Sequence, residues 1–129
     1  MDTKKNKKEL IYKDLSYRIV GLAMQVHREL GPGFLEKVYE NALIVLFRKE
    51  NIKAEQQSSI NVFFQNELVG NYVADILVED KVILELKTVK KITDVHKAQA
   101  LNYLKATGLH LAIIFNFHSQ GLEYERIIL

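Results

Sequence analysis

The sequence predicts one α/β domain, a mixed β-sheet flanked by helices, and three observations predict it. Apolar residues recur at helical spacing in two segments before residue 50, then switch to alternation from Glu55 onward. A further helical segment separates Thr88 from Leu109, and the run after it is almost purely apolar. Helix, helix, three strands, helix, two strands is an order that lays helices on a sheet, unlike an all-helical or all-β fold.

The first helix is expected from Asp14 to Leu30, with Leu15, Ile19, Leu22, Ala23, Val26 and Leu30 along one stripe. Gly31-Pro32-Gly33 breaks it, because proline and glycine favour a turn there. A second helix should run from about Phe34 to Glu50, burying Leu35, Val38, Ala42, Val45 and Leu46. Ile60, Val62 and Phe64 alternate with polar neighbours as a half-buried strand, followed by a turn near Gln65-Asn66. Leu68 to Val78 and Val82 to Thr88 read as two more strands, with Gly70 a point of interruption and Glu79-Asp80-Lys81 the hairpin loop. Thr93 or Asp94 suits the N-cap of a third helix that runs to about Ala106 and is closed by Gly108. That helix is long enough to cross over and add a parallel strand. Leu109 to Phe117 has the composition of such a strand, buried on both faces. Leu122 to Ile128, after a turn at Ser119-Gln120-Gly121, is the last strand.

The 129 residues suffice for one domain with a real core, expected over residues 13–129 behind a basic, flexible tail at 1–12. There is no cysteine, which excludes disulfides, a thiol nucleophile and thiolate metal sites. No apolar run approaches the roughly 20 residues of a membrane span, and the first residues lack the apolar stretch of a signal peptide. The cytoplasm is the expected compartment. A net charge of +2 is too balanced to argue nucleic-acid binding by itself. Lysines cluster at Lys4, Lys5, Lys7 and Lys8 and again at Lys87, Lys90 and Lys91, where solvation is the expected fate of the last two.

Two carboxylates stand where a core strand does not favour them. Asp75 lies within Tyr72–Val78 and Glu85 within Val82–Lys87, the most strand-like stretches of the chain. A buried carboxylate needs a cation, a metal or a hydrogen-bond cluster beside it. Glu85 and Lys87, two apart, point to one face. A three-residue loop at Glu79-Asp80-Lys81 sets Asp75 opposite Glu85; a two-residue loop sends the carboxylates to opposite faces unless a bulge intervenes. If they meet, their repulsion calls for a divalent cation, and oxygen-only ligands favour Mg2+, with Mn2+ as a substitute. The Leu86 carbonyl could add a ligand, and Lys87 could orient the attacking water and stabilise charge on a phosphate. Spacing alone also fits a surface charge pair at strand ends.

Gly33-Phe34-Leu35-Glu36-Lys37-Val38-Tyr39 matches the G-x-x-E-x-x-Y motif of the GxxExxY family. The stretches Val26–Gly31, Tyr39–Leu43, Ala74–Val78, Leu84–Lys87, His96–Leu104, Asn116-Phe117 and Tyr124–Arg126 also resemble it, over nearly all the chain past the first dozen residues. That family is similar to the PD-(D/E)XK nuclease superfamily, which implies a restriction-endonuclease-like core. By position, the resemblance makes Asp75 the motif aspartate and Glu85 and Lys87 the E-x-K. It also makes Glu36 the acidic residue of the N-terminal helix, and Gln99 the glutamine on the helix after the E-x-K strand. Ala74 stands where the superfamily's name has proline.

The expected function is a Mg2+-dependent nuclease acting on DNA or RNA. Asp75, Glu85, Glu36 and the Leu86 carbonyl would serve the metal, Lys87 the water, and Gln99 a supporting role with His96 behind it. The alternatives are a nucleic-acid or protein-binding module that keeps the fold without turnover, and a hydrolase of another phosphoester. Little surface is left for reading sequence, so a homodimer or a partner protein is compatible with this size. Tyr39 is expected to pack with a satisfied hydroxyl, and His27 to be a hydrogen-bonded structural histidine, although its closeness to Glu36 leaves a substrate role open.

Overall fold

The structure, a computed structural model, describes residues 11–129; the lysines at 4, 5, 7 and 8, and most of the expected basic tail, lie outside the described residues. The elements follow the expected order: α1 (Lys13–Leu30), α2 (Glu36–Lys49), β1 (Ala54–Phe64), β2 (Glu67–Val78), β3 (Val82–Lys87), α3 (Asp94–Thr107), β4 (Leu111–Asn116) and β5 (Glu123–Ile128). The five strands form one sheet in chain order. Neighbours are antiparallel except β3 and β4, which α3 joins in parallel. Among the described residues no helix is long and apolar enough to cross a membrane.

Each face of the sheet carries its own core. Leu84 and Leu86 of β3 pack with α1 and α2, whereas Ile83 packs with Ala100, Tyr103 and Leu104 of α3. The near-continuous apolar run of β4 follows from this, since Ile113 belongs to the first core and Ile114 to the second. Gly108 closes α3 in the left-handed conformation at φ 76°, where a side chain is strained. At the expected interruption of β2, the ladder steps from Val62–Gly70 to Phe63–Leu68, so Val69 is an extra residue and the strand continues through a bulge.

The buried face of α2 differs from the expected one. Tyr39, Leu43 and Phe47, four apart, form its core stripe, while Leu35 is 80% exposed and Val38 and Val45 are also exposed. Ala42 and Leu46 lie at the margin of the core. Two large aromatic rings remove more apolar area from water than the aliphatic set, and that difference turns the helix. Leu30, at the end of the α1 stripe, stays exposed as well.

Tyr39 also ties the Gly31–Phe34 turn. Its ring stacks on Phe117 at 4.3 Å, and its hydroxyl donates to the Gly31 carbonyl at 2.7 Å and accepts from the Phe34 N–H at 3.2 Å. Tyr39→Phe leaves both backbone groups without this partner, so a loss of about 1–3 kcal/mol in urea unfolding is expected. An unchanged midpoint would show that water replaces the hydroxyl without loss.

Candidate active site

The β2–β3 hairpin pairs Ile76 with Leu84, Leu77 with Ile83 and Val78 with Val82, which leaves a three-residue loop at Glu79–Lys81. Glu79 and Asp80 take left-handed φ values of 51° and 56°, and the Lys81 N–H closes the turn on the Val78 carbonyl at 2.9 Å. The pairing stops at Ile76–Leu84, one rung short of Asp75 and Glu85. There the Asp75 carboxylate takes the place of a ladder carbonyl, its Oδ2 accepting the Leu86 N–H at 2.7 Å.

Strand β1 is distorted at the same level. Gln56 pairs with Ile76 and Ser58 with Ala74, but the Gln57–Asp75 rung between them is missing, and Gln57 has φ 54°. Alternation breaks across Asp75: Ala74 packs in the α3-side core and Ile76 in the other. A left-handed glutamine within a strand is strained, and such strain persists only where surrounding contacts hold it. Here the Gln57 amide donates to Glu40 Oε1 at 3.0 Å.

Burial pushes the Glu85 carboxyl up to about 8, the negative charge of Asp75 adds to the rise, and the Lys87 ammonium opposes it. Asp75 is raised as well, by burial first, against the lowering effect of the Leu86 N–H. The Tyr103 hydroxyl is raised chiefly by burial and next by the charge of Glu85, which brings α3 into the same electrostatic group. Glu85 is only 8% exposed, and its Oε1 has no hydrogen-bond partner. The pair is an all-oxygen donor set with one buried acceptor left open.

A cleft of about 470 Å³ reaches Asp75, lined by Leu35, Glu36, Lys37, Glu40, Gln57, Asp75 and Thr88, whereas Glu85 and Lys87 are not in its lining. Glu36, the first residue of α2, accepts the Thr88 N–H at 3.1 Å and so joins the helix start to the end of the Lys87 strand. Glu40 is 3% exposed and accepts from Lys37 Nζ at 3.0 Å, Gln56 at 2.6 Å and Gln57 at 3.0 Å. Sequence reasoning missed Glu40 and Gln57 as site residues. A signal existed for Glu40, one turn beyond Glu36 and beside the buried Tyr39; none existed for Gln57, since glutamine does not announce a left-handed residue.

The other expected residues divide. Lys87 lies near both carboxylates, as its effect on each requires. Gln99 is exposed on α3, and its side chain makes no hydrogen bond among the described residues. His96 caps its own helix: Nδ1 accepts the Thr93 N–H at 3.0 Å while Thr93 Oγ1 accepts the His96 N–H at 3.4 Å. His27 is buried, with Nε2 2.7 Å from the Ser119 carbonyl.

Asn116, 2% exposed, fixes the segment after Lys87. Its Oδ1 accepts the Val89 N–H at 3.0 Å, and its Nδ2 donates to the Val89 carbonyl at 2.7 Å and to Glu123 Oε1 at 3.0 Å. Asn116→Ala is expected to destabilise the protein by roughly 2–4 kcal/mol, because part-buried backbone groups lose their partners. Chemical denaturation checks this, and a loss below ~0.5 kcal/mol would mean the segment is not held through Asn116.

A family model described as the PD-(D/E)XK nuclease superfamily matches residues 13–127. Among solved structures, the crystal structure of SSO0001 is similar with a TM-score of 0.55 and 17% identity, covering 97% of this chain and 61% of that one. The chain therefore spans less than two thirds of that protein's length, and at this identity the likeness is one of fold. No curated protein matches the sequence.

Proposed function

The chain belongs to the PD-(D/E)XK nuclease superfamily, and from that membership we propose that it is a Mg2+-dependent nuclease, hydrolysing phosphodiester bonds of nucleic acid at Asp75 and Glu85. The observation that carries this reading is the buried, unpartnered Glu85 Oε1 beside a second carboxylate at the end of a strand pairing. Two carboxylates and no thiolate or imidazole make a hard oxygen set, and Mg2+ binds through one or two carboxylates, waters and substrate phosphate. Among the described residues no three His, Cys, Asp or Glu side chains come together as a metal-ligand group, so Glu36 is not gathered with Asp75 and Glu85 into one such group.

Asp75, Glu85 and the Leu86 carbonyl would hold Mg2+, with Glu36 facing the same cleft. When bound, Mg2+ supplies positive charge against the phosphodiester. Asp75 is oriented for this by the Leu86 N–H, which fixes one of its oxygens. Lys87 acts on the other side of the chemistry: its ammonium orients the attacking water and stabilises the negative charge that grows on the phosphate. Gln99, exposed on α3, keeps its amide available for a substrate phosphate.

The test is a cleavage panel of single- and double-stranded DNA and RNA with Mg2+ or Mn2+, against the same reactions in chelator. Shortened products from at least one substrate, dependent on the metal, are expected. A protein that binds nucleic acid and metal yet cuts nothing would instead be a binding module on a nuclease fold.

A further inference from the structure

Directly after Lys87 the chain makes a short excursion, Thr88–Thr93, before α3 begins. Three side chains hold it ahead of α3: Glu36 accepts the Thr88 N–H, Asn116 binds Val89, and Glu123 Oε1 accepts the Ile92 N–H at 3.2 Å. A second cleft of about 590 Å³ borders it, lined by Lys90, Lys91, Thr93, His96, Ser119 and Glu123, together with Val89, which directly follows Thr88 of the Asp75 cleft.

The chemistry of this lining is one-sided. Lys90 and Lys91 are exposed, and neither forms an ion pair among the described residues. Because His96 Nδ1 accepts the Thr93 N–H, the neutral ring carries its proton at Nε2, which is left as a donor. Glu123 is the sole carboxylate in the lining, and its Oε1 is held by the Ile92 N–H and by Asn116 Nδ2 at 3.0 Å. Two free ammonium groups and an imidazole N–H around a cleft suit an anion with several acceptor oxygens.

We propose that this cleft receives a backbone phosphate of the nucleic-acid strand beside the bond presented to Asp75 and Glu85. It rests on the nuclease reading and names where the strand runs: over Lys87, then along Lys90 and Lys91. Three residues of chain reach at most about 11 Å, so the phosphate is a close neighbour of the reacting one. The tether through Asn116 and Glu123 keeps the two lysines in register with Lys87, which a free loop would not. Lys90 and Lys91 thereby serve binding and positioning, with no part in the chemical step.

The experiment is fluorescence anisotropy with labelled single- and double-stranded DNA and RNA in an Asp75→Asn background, which removes turnover, across a series of salt concentrations. Adding Lys90→Ala and Lys91→Ala is expected to weaken binding about tenfold and to lower the slope of log affinity against log salt by about 1–2, since each lost phosphate contact removes just under one unit. Arginine at both positions should restore the slope. If the background protein binds nucleic acid and the double alanine variant keeps its slope, the cleft takes no phosphate, and the nuclease reading is untouched. If the background protein binds none of the nucleic acids, the nuclease reading falls and the phosphate site falls with it.

Discussion

Asp75→Asn is expected to lower metal-dependent cleavage by on the order of 10³-fold or more while leaving the fold intact. The substitution keeps the shape of the side chain and an oxygen that can accept the Leu86 N–H. What it removes is the charge. With that charge gone, Glu85 loses the second largest cause of its raised pKa and becomes easier to ionise, so the metal-free variant should melt no lower than wild type. Steady-state cleavage and a thermal melt on one preparation separate the two effects. Cleavage within a few-fold of wild type would remove Asp75 from the site. A collapsed melt would make its role structural.

Glu85→Gln is expected to abolish cleavage as well, and its larger signature is in stability. The carboxyl of Glu85 is raised from 4.5 to about 8 in the folded protein, chiefly by burial. Below its unfolded pKa it is protonated in both states, and the fold bears no penalty. As pH rises from there, the unfolded chain ionises first, so stability falls steadily until the folded carboxyl also ionises near 8. The whole window amounts to on the order of 3–5 kcal/mol, at 1.36 kcal/mol for each pKa unit. Asp75, also raised, contributes with the same sign. Glutamine carries no charge at any pH, so in chelator the variant should overtake wild type at pH 9 and lose its advantage at pH 4. Urea unfolding at both values checks this, and parallel pH profiles for the two proteins would show that Glu85 is not held protonated by its surroundings. Mg2+ should reverse the order at alkaline pH, because it replaces the missing positive charge for wild type only.

Much of this was legible in the residues because backbone periodicity and turn chemistry are local. The switch from helical to alternating spacing, the Glu79–Lys81 loop and the Gly108 stop all lie within a few neighbours in sequence, and the order of elements and the hairpin register follow from them. The rotation of α2 was not legible, since helical spacing fits either stripe and only packing across the core, with Tyr39 stacked on Phe117 and Phe47 buried in the same core, favours that stripe over Leu35 and Val45. The family motifs and the cost of burying charge drew attention to Asp75, Glu85 and Glu36. The distortion at Gln57 depends on three elements meeting, with Glu40 of α2 holding a residue of β1 opposite Asp75 of β2, and no local pattern encodes that. His96 shows the converse: it was expected behind Gln99 in a supporting role, but the nearer backbone of Thr93 claims Nδ1 of its imidazole.

A calorimetric titration with Mg2+, repeated with Mn2+, on wild type and on Asp75→Ala tests the metal site most directly, with and without nucleic acid present. Wild type should bind the ion with release of a proton from the Asp75–Glu85 pair, more strongly as pH rises toward 8, and the variant should give no heat of binding. Wild type that binds neither ion even with nucleic acid present would contradict the metal-dependent nuclease, and the open oxygen of Glu85 would then be a protonated carboxyl of the core.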